Sequence, residues 1–279
     1  MLTNKGTRHI IFFFGLLILN YNCSSDDSTH VPTLQPIEIP EIFSDNIIDP
    51  IIPSDNPQTT EGIALGKRLF FDNILSANGT KSCASCHSPQ SAFTDSAPTS
   101  VGSDGIAGTR NSMPLFNMAW NYNERFNWDG KALSLESQAI EPVENPIELH
   151  SDWNNVVARL QAHPDYPELF DLAFNTSTIT KELTTKAIAQ FERTLISANS
   201  KFDNYLRDQA VLSPQEINGL DIFLREDKGD CFHCHGNPNN PLWTDNDFHN
   251  NGLDSQFTDL GLGAVTGDPS DNGKFRSPS

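Results

Sequence analysis

The pattern Cys-x-x-Cys-His occurs twice, as Cys83-Ala84-Ser85-Cys86-His87 and Cys231-Phe232-His233-Cys234-His235, and it limits what this chain can fold around. Two thiols three residues apart can add to the two vinyl groups of one haem, and the histidine that follows presents an imidazole to the iron. Zinc sites and redox dithiols also use Cys-x-x-Cys. Zinc ribbons hold their two pairs about 15–20 residues apart, whereas these pairs begin at 83 and 231. No βαβ pattern surrounds either pair, and neither alternative requires the adjacent histidine. The motifs therefore favour two covalently bound c-type haems, attached at Cys83 and Cys86 and at Cys231 and Cys234, with His87 and His235 on the irons.

The fifth cysteine, Cys23, has a separate explanation. Residues 1–22 hold Lys5 and Arg8, then an apolar run from Ile10 to Leu19, and Ser24-Ser25-Asp26-Asp27 follow the cysteine. This reads as a signal peptide, too short for the ~20 apolar residues of a spanning helix. A cysteine directly after the apolar run resembles a bacterial lipoprotein processing site, although Asn20-Tyr21-Asn22 depart from the small residues usual there. An exported chain with a free thiol and an uncleaved anchor are the other readings. Each puts the protein outside the cytoplasm, in the periplasm or attached to the outer membrane as a lipoprotein.

Cleavage after residue 22 removes Lys5 and Arg8 and no acid, taking the formal charge from −18 to −20. Nucleic acid is an unsuitable partner for such a surface. A basic electron donor would be steered toward it, but acidity is common in exported proteins and is not diagnostic.

Residues 23–58 are rich in Pro, Ser, Asp and Thr and read as an extended tether. Beyond it, the sequence predicts a helix over 60–71 with a Thr cap. Another is predicted from Ser213, whose Ser-Pro-Gln-Glu opening supplies an N-cap, a first-turn proline and a capping-box glutamate, with Gly229 as its end. Further helices are expected at about 134–140, 152–162, 165–174 and 184–197, the last capped by Thr184. Apolar stripes such as Val156, Val157 and Leu160, and Ile188, Phe191, Leu195 and Ile196, are core faces. The expected fold is mainly α: two helical domains, 59–200 and 201–279, with long loops and one haem in each.

Several segments together carry a specific resemblance: Leu65-Gly66-Lys67-Arg68-Leu69-Phe70-Phe71-Asp72, both haem motifs, Gly108-Thr109-Arg110-Asn111-Ser112, Trp128-Asp129-Gly130-Lys131, Gln138-Ala139-Ile140-Glu141-Pro142-Val143 and Phe248-His249-Asn250-Asn251-Gly252-Leu253. From about residue 60 onward the chain resembles the bacterial di-haem cytochrome c peroxidases and their MauG-type relatives. The resemblance implies two cytochrome-c-like domains, a peroxidatic N-terminal haem on His87 and an electron-accepting C-terminal haem on His235. It implies that Glu148 is the distal acid–base carboxylate, that Gln138 and Pro142 line its pocket, and that Trp128 lies between the haems. Asn111 matches a side-chain ligand of an inter-haem calcium ion, completed by water and by backbone near Ser277 and Pro278. The partners implied are hydrogen peroxide, a small donor such as a cytochrome c or cupredoxin, and a second copy in a homodimer.

Two departures from the family pattern stand out. The stretch Ser100-Val101-Gly102-Ser103-Asp104-Gly105 lacks the histidine that caps the resting peroxidatic iron in many relatives, with His150 and His163 as the candidate substitutes. The ending Gly273-Lys274-Phe275-Arg276-Ser277-Pro278-Ser279 stops where relatives continue, so the C-terminal domain reads as incomplete and a Met or Tyr ligand for the second haem is missing, with His249 or water as replacement. The expected activity is two-electron reduction of peroxide to water. A MauG-type oxidase of a protein substrate and a non-enzymatic di-haem electron carrier are the alternatives.

Overall fold

The structure is a computed structural model and describes residues 1–2, 30–44 and 47–278. The signal peptide and Cys23 fall outside the described residues. The described chain is mainly helical, with one two-residue antiparallel ladder. Helix α1 (Glu41–Ser44) precedes α2 (Thr60–Phe71), and a long stretch of turns and loops then leads to the short α3 (Leu135–Gln138) and α4 (Glu141–Glu144). Next come α5 (Trp153–Ala162), α6 (Tyr166–Phe174), α7 (Lys181–Arg193), α8 (Lys201–Leu206), α9 (Pro214–Phe223) and α10 (Phe232–His235). Strand β1 (Phe248–His249) pairs with β2 (Phe275–Arg276), Phe248 opposite Arg276.

The core of the helical body is the pair α2 and α7, with α5 and α6 packed beside them. Leu65, Leu69, Val156, Leu160, Phe170 and Ile188 are buried together in one cluster. Thr59 caps α2, its hydroxyl oxygen accepting from Gly62 N at 3.1 Å, and Asp72 ends it by turning its carboxylate to Ile74 N at 2.9 Å. Glycine is what lets α2 approach α7. A Cβ on Gly66 would stand 1.8 Å from the carbonyl oxygen of Ala187. Gly66→Ala is therefore expected to force the helices apart and destabilise the haem-loaded protein by about 1–3 kcal/mol, net of alanine's better helix propensity. A thermal unfolding midpoint unchanged by this substitution would mean the two helices do not meet so closely.

Three expectations need correction. Helix α7 starts a turn before the sequence reading and stops at Arg193, because Thr180 is its cap, accepting from Leu183 N at 3.2 Å. Thr184 is buried inside the helix and spends its hydroxyl on the carbonyl of Thr180 at 2.7 Å, a back-bond that leaves nothing to cap with. Helix α9 has the expected capping box, with Glu216 Oε2 accepting from Ser213 N at 2.6 Å, but ends at Phe223. Gly229 N and Cys231 N fold back onto the carbonyls of Ile222 and Phe223, which turns the chain toward the second motif.

The third correction concerns residues 30–58, which do not run free as a tether. Phe43 is fully buried edge-on to Trp120, ring centroids 5.1 Å apart. Ile51 N bonds the carbonyl of Ala119 at 2.7 Å. Asn56 and Gln58, both buried, reach Glu136 Oε1 and the carbonyl of Gln190 at 2.7 and 2.8 Å. A composition rich in Pro, Ser and Asp signals the lack of regular elements, which differs from a lack of partners.

Candidate functional site

The first Cys-x-x-Cys-His motif folds as a short 3-10 turn, Cys83–Ser85, with Ser82 and Ser85 forming a reciprocal cap. His87 is placed by this turn, its N–H donating to the carbonyl of Cys83 at 2.9 Å. The imidazole is then fixed from behind: Nδ1 lies 2.9 Å from the carbonyl oxygen of Phe93 and 3.0 Å from that of Met113. Two carbonyls can only accept, so Nδ1 carries the proton and Nε2 keeps its lone pair. The loop that brings the Phe93 carbonyl here holds Ala92 and Phe93 both at φ 56°, an uncommon conformation for residues with a Cβ. Bonds between Ser88 and Thr94 (2.9 Å) and from Phe93 N to Ser88 O (2.8 Å) hold it. Withdrawal from solvent lowers the His87 pKa, so the ring is held neutral.

Cys83, Cys86 and His87 open onto a cavity of about 390 Å³, within the ordinary range for cofactor sites. Burial, with the Glu192 charge adding to it, pushes the Cys83 thiol up to about 12, and burial raises Cys86 as well. That is opposite to the depressed pKa of a redox dithiol. Among the described residues no three His, Cys, Asp or Glu side chains gather as a metal-holding group, so the two cysteine pairs do not assemble a shared zinc site. A neutral imidazole with a free Nε2, two adjacent protonated thiols and a mainly apolar cavity fit a covalently attached haem.

The same cavity is lined by Gln138, Pro142, Glu148, Trp128 and Asn111, which sequence reading had assembled from separate motifs. Glu148 sits on a tight turn built by Asn145, whose Oδ1 accepts from Ile147 N at 3.1 Å and whose Nδ2 donates to Glu148 Oε1 at 2.7 Å. Burial raises the Glu148 pKa; the Asn145 bond opposes this and the nearby Glu141 charge adds to it. The 100–108 loop lies against this turn, with Ser103 N and Oγ bonded to the Glu148 carbonyl at 2.7 and 2.9 Å. Asp104 reaches His150 Nδ1 at 2.5 Å. Neither His150 nor His163, which packs its ring on Tyr166, lines the cavity.

Trp128 donates its indole N–H to the carbonyl of Asn111 at 2.9 Å, and its own carbonyl accepts from Arg276 N at 2.9 Å. Arg110, beside Asn111, bonds Asp129 and Asp259 at 2.8 Å each, tying the 108–111, 128–129 and 259–261 segments together. Asn111 itself is exposed, and the Ser277 carbonyl accepts from Thr244 Oγ1 at 2.7 Å. Calcium seeks 6–8 oxygens, and no acidic cluster gathers at this place among the described residues.

The second motif lies on α10. His235 N bonds to the Cys231 carbonyl at 3.0 Å, and the Cys234 carbonyl accepts from Asp245 N and from Ser277 Oγ, each at 3.0 Å. Helix α9 leads into it with no residue buried, and Ile217 and Ile222 are exposed. An uncovered apolar helix beside two thiols and an imidazole is the arrangement a porphyrin face would cover. His249, the sequence candidate for a sixth ligand here, has Nε2 engaged by Asp245 at 2.6 Å.

Two sequence-separated haem-attachment motifs on a mainly helical scaffold define a multi-haem c-type protein. Residues 60–211 match the family model described as di-haem cytochrome c peroxidase, and the chain belongs to that family. It is 33% identical over 260 residues to a methylamine utilization protein MauG of Methylophilus methylotrophus, covering 92% of this chain and 72% of that one. It is 34% identical over 312 residues to a cytochrome-c peroxidase IdrP1 of a Pseudomonas species, covering 100% of this chain and 78% of the relative. A second MauG, from Methylorubrum extorquens, is 38% identical over 81% of this chain and 60% of its own length. The crystal structure of a MauG-like protein associated with microbial copper homeostasis superposes with a TM-score of 0.77 at 34% identity, covering 87% of this chain and 74% of that chain. Members of this family carry two c-type haems, the number of attachment motifs found here.

Sequence reasoning missed Glu192 and Arg276. Both are buried and line the first cavity. Glu192 Oε2 and Arg276 Nε have no hydrogen-bond partner among the described residues. Glu192 stands directly before Arg193 and Arg276 two residues after Lys274, so in sequence each reads as an ordinary charge among others.

Proposed function

We propose that this protein is an exported di-haem peroxidase that reduces hydrogen peroxide to two waters, consuming two protons and two electrons from a small cytochrome c or cupredoxin. The observation that carries the reading is a half-buried carboxylate, Glu148, facing the same cavity as His87, Cys83 and Cys86. The haem, once attached to Cys83 and Cys86, supplies the iron that passes electrons to peroxide. His87 serves as the proximal ligand, its ring oriented by the Phe93 and Met113 carbonyls, a bond pattern that also raises ligand basicity. Glu148 would take a proton from one peroxide oxygen and return it to the other, which leaves as water. Gln138 and Pro142 wall the peroxide pocket. Trp128, bonded to both Asn111 and β2, is the proposed electron route between the His87 and His235 sites.

Asn145 sets the working range of Glu148. Removing its donated hydrogen bond destabilises the ionised form, so Asn145→Ala should raise the Glu148 pKa. Because the ionised carboxylate is the base, the acidic limb of the pH–rate profile should move to higher pH. An unmoved limb would separate Glu148 from the titration.

A MauG-type oxidation of a protein side chain is the second reading. It is favoured by a cavity lining in which, among the described residues, His87 is the only histidine, and by the bonds that hold the 100–108 loop against the Glu148 turn. The test mixes haem-loaded protein with hydrogen peroxide in a stopped-flow spectrometer and then adds a reduced small cytochrome. A rapid change in the haem spectrum followed by cytochrome oxidation supports the peroxidase. A rapid change without cytochrome oxidation favours the protein-oxidising reading, and haems indifferent to peroxide would leave an electron carrier. Attachment of Cys23 to lipid belongs to the proposal through its place directly after the apolar run, the Asn111 calcium through the family resemblance, and a homodimer is proposed with them.

A further inference from the structure

Arg276 is 3% exposed, yet its guanidinium has no carboxylate partner. Its Nη2 donates to Asn246 Oδ1 at 2.6 Å, Nη1 meets only the Met118 sulfur at 3.9 Å, and Nε has no partner. The other buried arginine among the described residues, Arg193, is matched with Glu136 at 2.8 Å, and the half-buried Arg110 in the same cavity wall with Asp129 and Asp259. Burying an unpaired cation is costly, and a guanidinium offers planar donors suited to a carboxylate. Arg276 also lines the same cavity as Cys83, Cys86 and His87. It is held there by the backbone of β2, paired with Phe248 and bonded to the Trp128 carbonyl at 2.9 Å. An anion is therefore missing from this wall, and the group that the cavity fits carries its own carboxylates at the porphyrin edge.

We propose that Arg276 is a positioning residue for the first haem: its guanidinium binds a propionate of the haem attached at Cys83 and Cys86. This rests on the di-haem reading. The arrangement lets a residue from the C-terminal region, whose neighbour Ser277 bonds the Cys234 carbonyl at 3.0 Å, hold the haem of the N-terminal motif. Arg276 thereby also sets that haem's potential, because a nearby cation disfavours the ferric form, which carries one more positive charge than the ferrous.

The test is a spectroelectrochemical titration of the full, haem-loaded chain and of Arg276→Gln and Arg276→Lys, with the first haem's wave identified as the one altered by His87→Gly. In Arg276→Gln the first haem's potential should fall by about 59 mV, a tenfold shift in its one-electron equilibrium, while the second haem's is unchanged. Arg276→Lys keeps the charge and should restore most of the value. An unchanged first-haem potential in Arg276→Gln, or a shift confined to the second haem, overturns the assignment. Should Arg276→Gln not fold, resonance Raman of wild type and Arg276→Lys decides: the propionate-bending band should shift when the planar donor is replaced by a point donor, and an identical band overturns the proposal. Mass spectrometry of the purified chain, run first, keeps the failures apart, since a chain with no haem at the first motif contradicts the di-haem reading itself and Arg276's role with it.

Discussion

His87→Gly abolishes peroxide turnover while both haems remain covalently attached. The thioether links depend on Cys83 and Cys86, which the substitution leaves in place, so haem content measured by mass should be unchanged. What is lost is the imidazole that the Phe93 and Met113 carbonyls hold at 2.9 and 3.0 Å. These bonds orient Nε2 and raise the basicity of the imidazole that would hold the haem iron. Without that ligand no comparable donor remains, since among the described residues His87 is the only histidine lining the cavity. The second motif, on α10, is untouched, so reduction of its haem by a small cytochrome should persist. Retained turnover in His87→Gly would move the peroxide site away from the first motif.

Glu148→Gln slows the reaction with peroxide by roughly 10²–10⁴-fold, the usual worth of a positioned acid–base group. Glutamine is nearly isosteric and can still accept from Asn145 through its amide oxygen, so the turn from Asn145 to His150 should survive. What it cannot do is take up a proton and return it. The raised pKa of Glu148, caused first by burial, is the feature that makes such an exchange productive: a carboxylate held at its ordinary pKa would be a weaker base for the peroxide proton. The measurement is the second-order rate of the haem spectral change on mixing with peroxide, with haem attachment and cytochrome reduction of the second haem as controls. An unchanged rate would make Glu148 part of the cavity wall and no more.

Much of this site was legible before any coordinates. The haem-attachment motifs are local: five consecutive residues define the chemistry, and the turn around Cys83–His87 is closed by near neighbours. Helix α2 and the capping box of α9 were readable for the same reason, since caps and apolar stripes act within a few residues. Where a cap competed with an alternative, local reading failed. Thr180 and Thr184 are both threonines at the mouth of one helix, and only the packed helix decides which hydroxyl turns to the backbone N–H and which to the carbonyl. The docking of residues 30–58 was likewise invisible, because Phe43 finds Trp120 across a sequence gap that no periodicity spans.

By itself, the sequence determined where the two Cys-x-x-Cys-His motifs lie, that the scaffold is mainly helical, and which family's pattern the chain follows, because those properties reside in short stretches with their own chemistry. Only the tertiary structure decided which polar groups share the first cavity. Glu148, Trp128 and Asn111 come together there with Arg276, whose neighbour Ser277 bonds the Cys234 carbonyl of the second motif. A charge becomes a functional group through its burial and its lack of a partner, and both depend on residues far away in the chain. Arg110 and Arg276 are the same residue type in the same wall; one is neutralised by two aspartates and the other awaits an anion, a difference set by the folded chain alone.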